Sequence, residues 1–430
     1  MIEPTDTILV ATVPPPTLMA EILRQARRLS GVKLIVWPLD SRHFEPLRGV
    51  LFDIATLAAI SGSRTDYRYI PATLSQMALR WPRDGTSFVV LMHLAATELE
   101  SELSMGICAD HTHSYLNGAA RLIIGEVNQG MPSTRGPNRI PVGVLDMVVE
   151  SDLPVDVLPP NEDVEDHRVG AIARSVAELV PDGATIEIGV MSMADSILRG
   201  LAGKSDLGIH SGIVGEGLLD LIAGGIVTNS RKPVNRGKTV AAILSGSASG
   251  LRRLAASSDI EVWPMSYTHD IRNISVLSDF VAINSCLQVD LIGQVYSESI
   301  NGRLLGAVGG LADFATAASY AVGGKSIIAT FATTTDGLTS KIVAVGRPGD
   351  AVTLTASGVD FVVTEYGVAD LRGKSWAERG KELVRVAAPQ FRDFLERGLR
   401  AWQAGEHGPR ADSHLAVDQE LGDPGALRHA

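Results

Sequence analysis

Short apolar runs rich in Val, Ile and Leu alternate along this chain with stretches whose apolar positions recur every three or four residues. Residues 8–11, 32–37, 88–92, 122–127, 185–189, 240–244, 281–284, 326–329 and 361–363 read as strands. Between them, amphipathic stretches such as 17–29 and 171–180 read as helices. Alternation of this kind predicts an α/β fold of open, mostly parallel sheets covered by helices.

Two stretches echo each other. Thr7-Ile8-Leu9-Val10-Ala11, a proline turn and a helix are matched by Thr185-Ile186-Glu187-Ile188-Gly189, a short turn and a helix over 195–201. A second echo pairs residues 122–128 with 280–284. Together they predict two α/β halves of related design. Residues 152–166 carry Pro154, Pro159, Pro160 and six acidic residues without periodicity, and read as a linker or exposed crossover. The expected domains are 1–166 and 167–404, followed by a glycine-, histidine- and charge-rich flexible tail, 405–430.

Composition narrows the function. The formal net charge is −11 with no long basic run, which argues against nucleic acid or an anionic membrane as partner. Cys108 and Cys286 stand alone, giving neither a disulfide framework nor a metal-ligand spacing. The acidic N-terminus is unlike a signal peptide and no apolar run is long enough to span a bilayer, so a cytoplasmic protein is expected. His111 and His113 mimic a metal pair, but no third ligand is near in sequence; a pair of loop histidines is the plainer reading.

The most informative residues lie in the C-terminal half. Asp206-Leu207-Gly208-Ile209-His210-Ser211, Ile283-Asn284-Ser285-Cys286-Leu287-Gln288-Val289-Asp290-Leu291-Ile292-Gly293-Gln294, Val308-Gly309-Gly310 with Asp313-Phe314, Ser340-Lys341-Ile342-Val343 and Val363-Thr364-Glu365-Tyr366-Gly367 occur in an order and spacing that resemble the acetyl-CoA hydrolase/CoA-transferase family. Tyr69-Ile70-Pro71, Gly125-Glu126-Val127-Asn128 and Met131-Pro132 extend the resemblance more faintly into the N-terminal half. It implies an enzyme acting on coenzyme A thioesters, with two α/β domains, a CoA cleft between them, and a homodimer as the family default.

In transferring members of that family, a glutamate after the Gly-Ile-His-Ser segment attacks the acyl-CoA thioester, dividing one hard step into easier ones. Gly212 occupies the matching position and has no side chain. Leu311 stands where the family has a glutamine, and Met191 where it has a glycine, which narrows the expected acyl pocket. Candidates to replace the carboxylate are Glu216, placed one turn away if the segment is helical, and His210 as a general base. Their plainer readings are a surface or N-capping role for Glu216 and a hydrogen-bonded structural histidine for His210, and that of Cys286 is a packed core thiol. Val308, Gly309 and Gly310 form a turn whose backbone N–H groups can approach a thioester carbonyl. Lys341 is the expected counter-charge for a CoA phosphate, and Glu365-Tyr366-Gly367 is read as starting a helix beside the cleft. Three readings result: a thioester-processing enzyme without the usual glutamyl–CoA intermediate, a binding-only homologue or partner subunit, and a C–C hydrolase or lyase acting on a CoA ester.

Overall fold

The computed structural model describes residues 2–3, 5–37, 53–56, 58, 67–80, 88–155 and 167–404. Most of the expected linker, residues 156–166, and the tail 405–430 lie outside the described residues.

The N-terminal sheet joins β1 (Thr7–Val10), β2 (Lys33–Val36), β3 (Asp53–Thr56), β4 (Tyr67–Tyr69), β5 (Phe88–Ala96), β7 (Ala120–Asn128) and β9 (Met147–Ser151). All are parallel, in the order β4-β3-β2-β1-β5-β7-β9. β6 (Glu102–Ser104) and β8 (Arg139–Pro141) add antiparallel pairs at the end of β5.

The C-terminal sheet holds β10 (Thr185–Ile188), β11 (Gly208–Gly215), β12 (Thr239–Ser245), β13 (Ile260–Val262), β14 (Phe280–Asn284), β19 (Lys325–Ala329), β21 (Phe361–Thr364) and β22 (Gly367–Asp370). Its order is β13-β12-β11-β10-β14-β19-β21-β22, and only β22 is antiparallel. β15 (Gln288–Asp290), β16 (Val295–Tyr296) and β20 (Ile342–Val343) make a small sheet, and β17 (Ser299–Ile300) pairs with β18 (Arg303–Leu304).

The two large sheets repeat one topology. In each, the first strand is central, three strands follow on one side, and the chain then returns to fill the other side. The register repeats as well: Thr7 lies opposite Phe88, and Thr185 opposite Phe280. The first sequence echo is therefore a true equivalence of β1 with β10. The second is corrected by one strand, because the partner of β14 is β5, and β7 corresponds to β19. Buried strands share similar apolar sequences, and only their pairing separates them.

All nine expected strands form. β11 is an addition to them, and three of its eight residues are glycine, which weakens any strand pattern. The helices that matter below are α1 (Pro16–Arg24), α2 (Leu74–Leu79), α3 (His167–Leu179), α4 (Ala194–Gly200), α5 (Leu218–Ala223), α6 (Ala248–Ala256), α7 (Met265–Thr268), α8 (Ile271–Ile274) and α9 (Leu311–Tyr320). Helices α3 and α4 cover the β10 face that carries Ile186 and Ile188, whereas α8 and α9 cover the opposite face through Phe280, Ala282 and Phe314. No helix among the described residues is long and apolar enough to cross a membrane.

The halves are bonded directly. Ala109 N–H donates to Ala242 O at 2.9 Å and Leu244 N–H to Ile107 O at 2.8 Å, so residues 107–109 pair with β12. Asp313 of α9 accepts from the Ser75 hydroxyl at 2.6 Å and the Ser75 N–H at 3.1 Å. Tyr69 donates to Glu298 at 2.5 Å. These contacts set the Gly306–Gly310 turn against the N-terminal half, where Ala307 bridges Ala58.

Candidate active site

In a doubly wound sheet, ligands bind outside the carboxyl ends of the strands where the strand order reverses. In the C-terminal half that point lies at the ends of β10 and β14, marked by Gly189 and Asn284. Continuing the β10–β11 register sets Gly189 beside Gly212. Two glycines thus form a side-chain-free floor on one face of the sheet.

What stands over that floor is specific. A Cβ on Gly212 would lie 2.9 Å from His269 Nε2, 3.3 Å from His269 Cε1 and 3.3 Å from Phe314 Cε2. His269 ends α7, is 1% exposed, and stacks obliquely on Phe314 with ring centroids 4.9 Å apart. Its Nδ1 lies 2.8 Å from the Thr268 hydroxyl. Burial drives its pKa down to about 3, so the ring is neutral at pH 7. A Cβ on Gly189 would collide with Asn284 Oδ1 and lie 3.6 Å from Glu187 Oε1. Glu187 is 2% exposed, accepts from Asn284 Nδ2 at 2.8 Å, and is pushed up to about 8 by burial.

The turn Val308-Gly309-Gly310 closes the site. Gly309 has φ +57°, a conformation that glycine adopts without strain, and a Cβ there would meet open space. Gly310 caps α9, and a Cβ on it would press on Phe314 at 2.9 Å and His269 Cδ2 at 3.2 Å. A side chain at Gly212 or at Gly310 would therefore crowd the same imidazole and the same edge of Phe314.

The other expected site residues are placed as follows. His210 is a strand residue with Nε2 3.0 Å from Thr268 O and a sealed, unpartnered Nδ1. Burial, then nearby Lys232, lowers its pKa to about 3. Glu216 is not one helical turn from Gly212, because residues 208–215 are a strand. Its carboxylate instead accepts from Ser247 N–H at 3.0 Å and Ser247 Oγ at 3.1 Å, where Ser247 is the N-cap of α6. Glu365-Tyr366-Gly367 starts no helix; Glu365 and Tyr366 are the turn of the β21–β22 hairpin, and Gly367 opens β22. Glu365 accepts from Ala332 N–H at 2.9 Å, and Tyr366 lies beneath Arg392.

Lys341 is buried, at 8% exposure; burial lowers its pKa, and nearby Cys286 and Glu365 oppose that shift. Burial pushes the Cys286 thiol up to about 11, as for a packed core cysteine. Met191 and Leu311 are both buried but in separate clusters, and the nearest atoms to the Gly212 position belong to neither. His111 and His113 sit on a 3₁₀ turn, and no described group of three His, Cys, Asp or Glu residues is arranged to hold a metal.

Sequence reasoning missed His269, Glu187 and the role of Asn284. A histidine after a short helix carries no local signal. Glu187 does carry one: it is the single charged residue in the run Thr185–Ile188, otherwise apolar but for the leading threonine.

Residues 246–399 match the family model of the acetyl-CoA hydrolase/transferase C-terminal domain. The chain is 35% identical to the 4-hydroxybutyrate coenzyme A transferase of Clostridium kluyveri over 82% of its own length and 81% of that protein's. RipA from Yersinia pestis superposes with a TM-score of 0.84 at 26% identity, covering 94% of this chain and 95% of that one. The 4-hydroxybutyrate CoA-transferase from Porphyromonas gingivalis gives a TM-score of 0.75 at 27% identity, with 93% and 94% covered. With its paired sheets, its glycine turn and relatives matched over most of their length, the chain belongs to the acetyl-CoA hydrolase/transferase family of enzymes that act on coenzyme A thioesters.

Proposed function

We propose that this enzyme binds an acyl-CoA against the Gly309–Gly310 turn and transfers its acyl group to water or another nucleophile without forming a glutamyl–CoA intermediate at position 212. The observation that carries this reading is the 2.9 Å separation between His269 Nε2 and the place where a residue-212 side chain would begin. A side chain beginning at this position would crowd that ring, which supports a site that works without a carboxylate there. The backbone N–H groups of the turn are suited to polarise a thioester carbonyl, and donors of this kind are worth about 10²–10³ in rate. The buried ammonium of Lys341 supplies the positive charge for the anionic cofactor.

The test is incubation with acetyl-, butyryl- and succinyl-CoA, with and without carboxylate acceptors, followed by mass spectrometry of products and intact protein. Free CoA should appear with no gain in protein mass. A stable CoA-sized adduct on the protein, or no turnover of any ester, overturns the reading.

A further inference from the structure

We propose that Glu187 is the general base of this enzyme, taking the proton from the water that attacks the thioester at the carboxyl end of β10, beside Gly189. The inference rests on the thioester reading above and supplies the base that this reading needs.

Three independent observations converge on Glu187. The first is placement. It lies on the central strand β10, one residue before the strand's end, and its Oε1 leans forward to 3.6 Å from the Gly189 Cβ position. With neighbouring strands about 4.8 Å apart, that oxygen falls within roughly 9 Å of the start of any side chain at 212. The carboxyl is therefore at the switch point itself, where this class of sheet places its ligands.

The second is the sister sheet, which solves the same packing problem differently. Aligning Thr7–Phe88 with Thr185–Phe280 makes Leu9 the counterpart of Glu187 and Met92 the counterpart of Asn284. Leu9 and Met92 are buried core residues. The fold does not call for a carboxyl and an amide at these positions, and burying a carboxyl in place of leucine works against stability. A polar pair kept there against that tendency points to a function.

The third is orientation. Asn284 Nδ2 holds Oε2 at 2.8 Å, fixing the side chain and leaving Oε1 on the glycine side. The titratable and charged groups around this face are His210 on β11, Lys232, His269 after α7, Asp270 and Arg272 at α8, and Asp313 on α9. Lys232 is occupied by Ile209 O and Lys238 O, Asp270 by Arg272, and Asp313 by Ser75. None of them contributes to the shift of Glu187, which comes from burial, opposed by hydrogen bonds from Asn284 and the Ile283 backbone.

In the step, the ionised carboxyl accepts a proton from water as the water oxygen bonds to the thioester carbon. The carbon–sulfur bond then breaks, its electron pair leaves on the CoA sulfur, and the proton passes from Glu187 to that sulfur. The products are a carboxylic acid and CoA thiol, and no redox partner is required.

The test measures thiol release from acetyl-, butyryl- and succinyl-CoA by wild type, Glu187→Gln and Glu187→Leu across pH 5–10. Glu187→Gln keeps an acceptor for Asn284, and Glu187→Leu installs the sister sheet's residue, so both should fold. For both, kcat should fall by about 100-fold or more with CoA affinity unchanged, as loss of a general base requires. The wild-type rate should rise with pH through a limb near 8, and that limb should be missing in Glu187→Gln. Wild-type turnover that Glu187→Gln preserves at every pH overturns the assignment alone. A CoA adduct mapped to Glu187 also overturns it, making the residue a nucleophile. A wild-type protein that binds CoA but releases no thiol from any ester overturns the assignment together with the thioester reading.

Discussion

The contact between position 212 and His269 allows a quantitative test. Gly212→Ala adds one methyl group 2.9 Å from His269 Nε2 and 3.3 Å from both His269 Cε1 and Phe314 Cε2. The ring is also buried, at 1% exposure, and packs on Phe314 with centroids 4.9 Å apart, which limits its retreat. A glycine-to-alanine change in a strand ordinarily stabilises by about 0.4–1 kcal/mol through the unfolded chain. Overpacking a rigid site costs about 1–3 kcal/mol, so the steric effect should win and Gly212→Ala should be destabilising. His269→Ala removes the obstacle. In that background the same Gly212→Ala change should become neutral or stabilising, a coupling of about 1–3 kcal/mol, the size expected for residues in contact. Urea denaturation of the four proteins gives this cycle, with unchanged m-values as the check on two-state behaviour. Additive effects of the two substitutions would refute the idea that His269 fills the room a side chain at 212 would take. The same logic predicts that Gly212→Glu alone forms no CoA adduct, whereas Gly212→Glu with His269→Ala does.

Other consequences are directly measurable. Burial raises the Glu187 pKa from an ordinary 4.5 to about 8, so the folded state binds the proton more tightly than the unfolded one. This group's contribution to stability is therefore present at low pH and lost as pH rises from about 4.5 to 8, at a slope of about 1.4 kcal/mol per pH unit; Glu187→Gln should flatten that slope in urea titrations run at several pH values. Glu216→Ala should destabilise the protein by about 0.5–2 kcal/mol through loss of support for the α6 cap, with acyl-CoA turnover unaltered. Lys341→Ala should weaken CoA binding in calorimetry by about 1–3 kcal/mol, and unchanged affinity would remove Lys341 from the cleft.

Much of the architecture was legible because buried parallel strands announce themselves. Continuous apolar runs such as Phe88–Met92 and Phe280–Ile283 have few alternatives, and the repeated strand–turn–helix unit at residues 7 and 185 disclosed the duplication. Two of the failures share one cause. β11 is held in place by neighbours on both sides, five of its residues pairing with β12, so tertiary pairing outweighs the weak strand preference of its three glycines. That error carried over to Glu216: a helical reading kept it beside Gly212, whereas a strand carries it about 3.3 Å per residue away and delivers it to the start of α6.

The site was legible only where one position could be read by itself. Gly212 offers no carboxylate, since glycine has no side chain to supply one. What surrounds it involves residues 57 positions further along the chain, at His269, and 25 positions earlier, at Glu187. Nothing in the local pattern at 269 distinguishes a site histidine from a helix-ending one, because its meaning comes from the ring's approach to a glycine on a strand it does not neighbour in sequence. Glu187 differs in kind. An acid within a buried run is visible without any structure, and the duplication supplies the control, since the same place in the first sheet is Leu9. Comparing the halves of a duplicated fold position by position therefore exposes polar residues that packing does not require. Here that comparison leads to the carboxyl at the switch point, not to Glu216 or His210, whose side chains the fold already employs in an α6 cap and a strand-to-helix hydrogen bond.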